Sequence, residues 1–263
     1  MVNIQYYSDN LFMNINMVIG AILFTFLSFL FITYLISLFK KEKNDFIKKK
    51  EPLSILIPAY NEEKNIISCL KSILNSDYDL NKFQIIVIDD KSKDETKKLV
   101  KEFIFKNQKV DIQLIEGKHQ GKSKSLNLGL SYAKNELILS IDADIILKKD
   151  TISKLVAPMV YKSVAATNAV ARIRNPKKFI EYFQMIEFTL NNLIRTSFSK
   201  VFKNSIWFFG AVACYKKSVL NEVGNFKTDT LTEDMDICLE IYNKKYQIVT
   251  VPDAIMATNA MSS

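Results

Sequence analysis

Two carboxylates, Asp142 and Asp144, interrupt an apolar, strand-like run at residues 137–147. Side chains alternate faces along a strand, so residues two apart point the same way and lie about 7 Å apart. Like charges this close are unfavourable unless a cation lies near them. For this stretch alone the favoured interpretation is a strand end whose acids face water or cap the next helix. A metal site is favoured only if the rest of the chain supplies a nucleotide-sized site around the pair.

Two further polar clusters also follow strand-like runs. Tyr60-Asn61-Glu62 comes after residues 53–58, and Asp89-Asp90 after residues 83–88, and each leads into an amphipathic helix. Strands that alternate with helices predict an α/β fold, a mainly parallel sheet flanked by helices on both faces. Ligands of such sheets bind outside the carboxyl ends of the strands. Three clusters on one rim favour a ligand site over simple solvation.

The remaining pattern is looser and predicts further elements of the same sheet. These are a strand at 110–115, a helix at 122–133, a strand at 164–170, a long helix at 179–198, a helix from 233 to about 244 and a short final strand at 247–251. We found no internal repeat and no low-complexity segment.

The basic turn at residues 117–123 resembles a phosphate loop but is one residue short of the G-x-x-x-x-G-K-[ST] spacing. Its glycines and lysines precede a predicted helix, which leaves either a weaker anion site or a solvated basic turn.

The helix predicted from Glu233 begins with an acid-rich turn. Thr230 with Glu233 fits a capping box, but capping requires neither Asp234 nor Asp236. A carboxylate that takes a proton from a substrate hydroxyl would fit such a helix start.

Residues 17–39 form an apolar run without a charge, roughly 34 Å long as a helix and so long enough to cross a bilayer. No Lys or Arg precedes Lys40, unlike the basic start of a signal peptide. We therefore predict a retained transmembrane helix at 17–39, preceded by an extracytoplasmic segment at 1–16. The basic segment at 40–51 places residues 52–263 in the cytoplasm by the positive-inside rule.

Composition excludes several classes of function. Residues 40–51 carry much of the net charge of +8, so the basic balance gives no argument for a nucleic-acid partner. Three scattered cysteines predict neither a disulfide framework nor a zinc site. The single histidine, His119, excludes a histidine-rich metal site.

Five motifs in order resemble a known family. They are Pro58-Ala59-Tyr60-Asn61-Glu62-Glu63, Ile88-Asp89-Asp90-Lys91-Ser92-Lys93-Asp94, Gly121-Lys122 with Leu126-Asn127, Asp142-Ala143-Asp144 and Thr232-Glu233-Asp234. Together they are similar to the family 2 glycosyltransferases of GT-A (Rossmann-like) fold, which are inverting and use nucleotide sugars. The apolar helix and Phe208-Phe209-Gly210-Ala211 resemble the processive membrane synthases of poly-N-acetylglucosamine, chitin and hyaluronan.

The resemblance implies a role for each matching position. It implies that Mg²⁺ or Mn²⁺ binds to Asp144 with Asp142, that Asp234 is the general base, and that Glu233 and Gly210 lie on the acceptor side. The residues that it implies for binding of the nucleotide donor are Ala59, Tyr60, Glu62, Asp89, Asp90, Lys122 and Asp142. It also implies transfer of an N-acetylglucosamine-type sugar from a UDP-sugar to a glycan or lipid-linked acceptor at the cytoplasmic membrane face.

One departure from the family pattern keeps alternatives open. The processive members carry a Gln-x-x-Arg-Trp element after Thr-Glu-Asp, whereas the single tryptophan here, Trp207, precedes it. We therefore expect 52–263 to be a C-terminally incomplete GT-A domain. The alternative is a catalytically impaired membrane-anchored fragment or partner subunit. A nucleotidyltransferase is disfavoured, because Tyr60-Asn61-Glu62 stands where a glycine-rich loop would be expected.

Overall fold

The computed structural model describes residues 2–40, 51–205, 208–230 and 232–258, with side chains from Phe12 onward. The main elements follow in this order: α1 (Val2–Phe39), β1 (Leu53–Ala59), α2 (Ile66–Leu74), β2 (Phe83–Asp89), α3 (Thr96–Lys106), β3 (Asp111–Glu116), α4 (Lys122–Tyr132), β4 (Leu137–Ile141), β5 (Ile146–Leu147), α5 (Thr151–Val156), β6 (Val164–Ile173), α6 (Phe179–Phe202), β7 (Val212–Lys216), α7 (Lys217–Glu222), α8 (Glu233–Asn243) and β8 (Gln247–Thr258).

The strands form one sheet in the order β3-β2-β1-β4-β7-β6-β8-β5. The first four, β3, β2, β1 and β4, are parallel, as the alternation of strands and helices predicted. The other half is mixed, because β7 runs antiparallel to both β4 and β6, and β5 runs antiparallel to β8. The α/β class is therefore confirmed, with a parallel half that carries the three polar clusters.

Both faces of the sheet are covered by helices, which explains the near-continuous apolar strands. Ile55 and Ile57 of β1 pack towards α2, α3 and α5, whereas Leu56 packs towards α4, α7 and α8. Helix α4 lies very close to the sheet at Gly129, where a Cβ atom would come within 2.8 Å of the Ile88 side chain. This close approach fixes the start of α4 relative to the ends of β1 and β2.

The C-terminal elements differ from the sequence prediction. The final strand extends to Thr258 instead of ending at residue 251, and it pairs with β6 along its length. The sequence did not predict this continuation, because Pro252 and Asp253 interrupt the strand pattern. They fall in a register irregularity opposite Asn168–Val170, where the ladder is interrupted. Helix α6 also runs to Phe202, beyond the predicted end at residue 198.

Helix α1 begins at Val2 and so is longer than the predicted span at 17–39. Within the described residues, one helix, at Phe12–Phe39, is long and apolar enough to cross a membrane. Residues 41–50, most of the predicted basic segment, lie outside the described part of the chain.

Candidate active site

One cavity of about 690 Å³ opens at the carboxyl ends of the parallel strands. Ala59 is the last residue of β1, Asp90 follows β2 directly, and Asp142 follows β4 directly. The cavity is lined by Pro58, Ala59, Tyr60, Glu62, Asp90, His119, Gln120, Gly121, Lys122, Ser125, Asp142, Ala143 and Asp144. The structure thus brings the three predicted polar clusters together.

Asp90 fixes one wall of this cavity. Its carboxylate accepts hydrogen bonds from the backbone N–H groups of Gln120 (3.0 Å) and Gly121 (2.9 Å). Gly121 has a φ of +91°, a conformation that favours glycine. The neighbouring Asp89 is buried and does not line the cavity, and its carboxylate oxygen lies 3.4 Å from the Ser92 nitrogen. Of the two acids, Asp90 is the one at the cavity.

An aromatic pair stands at the mouth of the cavity. The rings of Tyr60 and His119 lie 4.6 Å apart between centroids, tilted by 36°. The His119 Nδ1 atom lies 3.2 Å from the Asp90 carbonyl oxygen, which ties the ring to the end of β2. Flat exposed rings of this kind provide stacking surfaces for a nucleobase. The sequence reasoning singled out Tyr60 but missed His119, whose position in the basic turn was the available signal.

Glu62 lines the same wall at the start of the loop between β1 and α2. Its backbone N–H donates to Thr96 Oγ1 (2.7 Å), and its carboxylate accepts from Asn65 Nδ2 (2.9 Å). Burial raises the pKa of Glu62, an effect that the Asn65 hydrogen bond opposes and the charge of Asp144 reinforces.

Asp142 and Asp144 lie together on the cavity wall, but not for the predicted reason. Strand β4 ends at Ile141, and the Ile145 N–H donates to the Asp142 carbonyl oxygen (3.1 Å), which closes a turn. The two acids are therefore brought together by this turn and not by strand alternation. Thr258 Oγ1, at the end of β8, donates to Asp144 Oδ2 (2.9 Å) and orients that carboxylate.

The environment of the two acids suits a divalent cation. Burial raises the pKa of Asp142 to about 6; nearby Lys122 opposes this rise and the charge of Asp144 adds to it. Among the described residues no group of three or more His, Cys, Asp or Glu side chains could hold a metal. Two carboxylates leave coordination positions for phosphate and water oxygens, the ligands that Mg²⁺ and related hard cations take beside a nucleotide.

Lys122, the first residue of α4, connects the strand ends to helix α8. Its Nζ atom lies 2.7 Å from Asp142 Oδ1 and 3.3 Å from Glu233 Oε1. Burial lowers the pKa of Lys122, but the two carboxylates outweigh it and the net shift is upward. The ammonium group is therefore held charged at the edge of the cavity.

Asp234, in the first turn of α8, is held by the backbone. Gly210 N–H donates to its Oδ2 (3.0 Å) and Met235 N–H to its Oδ1 (2.9 Å). A Cβ atom on Gly210 would lie 2.5 Å from the Asp234 Cβ, so this approach requires glycine. The predicted capping box is wrong, because Thr232 is the N-cap and Thr230 Oγ1 instead accepts from the Thr232 N–H.

The segment Gly210-Ala211 connects the acid pair Asp142 and Asp144 with the acid-rich start of α8. Gly210 contacts Asp234, and the Ala211 carbonyl oxygen accepts a hydrogen bond from the Asp142 N–H (2.9 Å). Ile206 and Trp207, which precede Phe208-Phe209, lie outside the described part of the chain.

A family model, that of glycosyl transferase family 2, matches residues 54–224. This region covers most of the chain and contains four of the five motifs. The chain belongs to glycosyl transferase family 2. The predicted family and the predicted enzyme class, a glycosyltransferase, are thereby confirmed.

Curated relatives of this family 2 glycosyltransferase include two bacterial synthases. The poly-beta-1,6-N-acetyl-D-glucosamine synthase of Staphylococcus aureus (strain COL) is 28% identical over 248 residues, which cover 93% of this chain and 57% of the relative. The synthase of the same name from Staphylococcus epidermidis is 29% identical over 251 residues, 93% of this chain and 58% of the relative. The chain thus spans little more than half the length of these relatives.

Solved structures confirm the GT-A-like fold. A mannosyltransferase, PcManGT from Pyrobaculum calidifontis, in complex with GDP-Man and Mn²⁺, superposes with a TM-score of 0.72 at 25% identity, covering 92% of this chain and 69% of that one. TarS from S. aureus, in complex with UDP-GlcNAc, superposes with a TM-score of 0.63 at 20% identity, covering 80% of this chain and 59% of that one.

Proposed function

We propose that this family 2 glycosyltransferase transfers an N-acetylglucosamine-type sugar from a UDP-sugar to a glycan or lipid-linked acceptor. We further propose that the reaction inverts the anomeric centre, requires Mg²⁺ or Mn²⁺, and takes place at the cytoplasmic face of a membrane that α1 spans. The similarity to the Staphylococcus poly-beta-1,6-N-acetyl-D-glucosamine synthases supports the sugar, and the Mn²⁺ bound to PcManGT supports the metal. The apolar helix at Phe12–Phe39 supports the membrane anchor.

The observation that carries this proposal is the link between the two acidic groups. Asp142 and Asp144 line the cavity, and the Asp142 N–H donates to the Ala211 carbonyl oxygen, while the adjacent Gly210 N–H donates to Asp234. Lys122 provides a second link through Asp142 and Glu233. A donor site and a separate carboxylate for the acceptor, held at fixed relative positions, are the arrangement that a direct sugar transfer requires.

In this mechanism the donor nucleotide occupies the cavity. Its base stacks at Tyr60 and His119 and contacts Asp90, while Ala59 and Glu62 line the wall beside it. Lys122 lies where the diphosphate would leave and stabilises the charge that develops there. Asp144, with Asp142, would hold the divalent cation, which neutralises charge on the diphosphate when it is bound.

Asp234 acts as the general base. Its two carboxylate oxygens each accept one backbone N–H, which fixes their orientation and leaves lone pairs to accept a proton from the acceptor hydroxyl. Attack by that hydroxyl from the face opposite the leaving diphosphate inverts the configuration. Glu233 and Gly210 flank the base and are assigned to the acceptor side.

The experiment that tests this proposal separates the two acids. Asp144→Asn and Asp234→Asn are each expected to reduce transfer of radiolabelled sugar from UDP-N-acetylglucosamine by at least about 100-fold, typical for loss of a charge-stabilising or proton-accepting group. Asp234→Asn is expected to keep metal-dependent UDP binding, whereas Asp144→Asn loses it. Unchanged turnover in either variant would refute the assignment.

A further inference from the structure

Arg195 is a buried cation on the side of α6 that faces the sheet. It is 1% exposed, and burial lowers its pKa to about 10, so the guanidinium keeps its charge at neutral pH. Among the described residues no carboxylate forms an ion pair with it, and its Nε atom has no hydrogen-bond partner there. A buried charge without a counter-ion destabilises a fold unless its other contacts compensate, so those contacts need an explanation.

The first contact of Arg195 satisfies the backbone of β6. Its guanidinium donates to the Ala169 carbonyl oxygen (2.7 Å). Ala169 lies in the register irregularity between β6 and β8, opposite a stretch that includes Pro252, which has no N–H to donate. Arg195 thus supplies a donor where the ladder is interrupted. A neutral amide could donate the same hydrogen bond, so this contact does not account for the charge.

The second contact of Arg195 uses the charge. The guanidinium carbon lies 5.5 Å from the centroid of the Phe209 ring, within the range of about 6 Å for a cation–π interaction. Phe188, two turns earlier on the same face of α6, meets the Phe209 ring edge-on, with 5.8 Å between centroids. Helix α6 therefore holds Phe209 with one cation and one aromatic ring.

Phe208 and Phe209 fix the segment before Gly210 in both layers of the protein. Phe208 is buried on the side of the sheet that carries α8, and its ring lies 5.6 Å from that of Tyr215. Phe209 packs on the opposite side, with the core beneath α2 and α5, and is only partly buried. The position of Phe209 therefore depends more on its α6 partners than that of Phe208 does.

The next residue connects this contact to the proposed general base. Gly210 N–H donates to Asp234 Oδ2 (3.0 Å), and a Cβ atom on Gly210 would lie 2.5 Å from the Asp234 Cβ. Because Phe209 and Gly210 share a peptide unit, a shift of the Phe209 ring is passed on to the contact with Asp234. A misplacement of about 1 Å in a reacting group can lower a rate by roughly 100-fold.

We propose that Arg195 is a positioning residue for sugar transfer, because its cation–π contact fixes Phe209 and thereby the place of Gly210 and Asp234. This inference rests on the proposed function, in which Asp234 is the general base. Arg195 is not among the residues that line the donor cavity. The inference therefore requires an effect on turnover without an effect on donor binding.

The test compares three variants of the full chain. Arg195→Gln removes the charge and keeps a hydrogen-bond donor for Ala169, whereas Arg195→Lys keeps the charge. Asn192→Ala is the matched control, because Asn192 Nδ2 donates to the Ala171 carbonyl oxygen (2.7 Å) and so anchors α6 on the same strand through a contact that does not involve Phe209. Values of kcat and KM for UDP-N-acetylglucosamine are measured, together with UDP affinity in the presence of Mn²⁺.

Arg195→Gln is expected to lower kcat about tenfold, with KM and UDP affinity unchanged, and Arg195→Lys is expected to lose less. Asn192→Ala is expected to keep the wild-type kcat. An unchanged kcat in Arg195→Gln, or an equal loss in Asn192→Ala, would overturn the inference while the proposed function stands. Absence of transfer by the wild-type chain would instead refute the proposed function, and the inference with it.

Fluorine NMR of the chain labelled with 4-fluorophenylalanine examines the Phe209 contact without an activity assay. The resonance that disappears in Phe209→Leu belongs to Phe209. We expect this resonance to shift in Arg195→Gln and to keep its position in Asn192→Ala. An unshifted resonance in Arg195→Gln would show that the guanidinium does not hold the ring, and would overturn the inference whatever the transfer activity.

Discussion

Lys122 holds its ammonium group between carboxylates from two distant parts of the chain, Asp142 after β4 and Glu233 at the start of α8. A bound diphosphate would present further negative charge to the same ammonium group. If the Lys122 ammonium group exchanged its carboxylate partners for phosphate oxygens, the backbone would need to move little. In the proposed mechanism this residue would therefore link donor binding to the position of α8 and of Asp234.

The pKa of Asp142 leads to a prediction about pH. Because burial raises that pKa to about 6, Asp142 of the folded, ligand-free chain keeps a proton between about pH 4 and pH 6. The contribution of Asp142 to the free energy of unfolding therefore falls as pH rises through that range. If Asp142 binds the proposed cation, binding would displace the proton. UDP affinity in the presence of Mn²⁺ is therefore expected to rise about tenfold per pH unit below 6 and then level off.

Titration calorimetry between pH 5 and pH 8 measures this dependence. Asp142→Asn is expected to remove the break near pH 6. Glu62→Gln serves as the control, because the pKa of Glu62 is also raised and the variant is expected to keep the break. A break that persists in Asp142→Asn and disappears in Glu62→Gln would assign the titration to Glu62 and contradict the prediction.

For individual residues, the sequence predicted which side chains line the cavity better than it predicted which side chains contact each other. Tyr60, Glu62, Asp90, Lys122 and the acid pair line one cavity, because polar residues after apolar strands gather at one sheet rim. Thr258 was not foreseen as the partner of Asp144, since that contact joins residues 114 positions apart. Such contacts depend on tertiary packing that no local pattern reveals.

Among the elements, the segment before β7 and the start of α8 depend on each other. Gly210→Ala would place a Cβ atom 2.5 Å from the Asp234 Cβ, so Asp234, the proposed base, would have to shift. We expect a loss of transfer activity of about 100-fold and a destabilisation of about 1–3 kcal/mol. Activity assays and thermal unfolding of the purified chain measure the two effects.

Gly20→Ala is the matched control, because nothing lies within 4 Å of its added Cβ atom. It is expected to leave transfer activity unchanged and not to lower the thermal stability, because Ala favours a helix more than Gly does. Equal effects of the two substitutions, or full activity in Gly210→Ala, would show that the Gly210–Asp234 approach does not position the base.

The elements that the sequence predicted well are those with regular periodicity. Strands β1 and β2 and helices α2 to α4 follow the expected pattern, since each has a buried face, whereas β4 ends at Ile141, before the acid pair. Strand β8 was predicted too short because Pro252 interrupts its pattern, and the two-residue strand β5 is too short to have one. The reversal of β7 within the sheet depends on the path of α6, which local sequence does not determine.

For the whole molecule, α6 is the link between the apolar helix and the catalytic face. Ser37 of α1 contacts Ser197, and two residues earlier on α6 the buried Arg195 packs against Phe209, next to Gly210. The chain spans 57% of the length of the S. aureus synthase, so the transfer assays proposed above would be made on the family 2 domain with one apolar helix. Donor binding is the property that this domain is expected to show by itself.

Calorimetric titration of UDP in the presence and absence of Mn²⁺ therefore tests the central claim most directly. Wild-type chain and the matched control Asp253→Asn, an exposed acid away from the cavity, are expected to bind UDP in a metal-dependent manner and more tightly than GDP. Asp144→Asn is expected to lose more than about tenfold in affinity, about 1.4 kcal/mol. If Asp144→Asn binds UDP with the same affinity and metal dependence as wild type, the proposed donor site is contradicted.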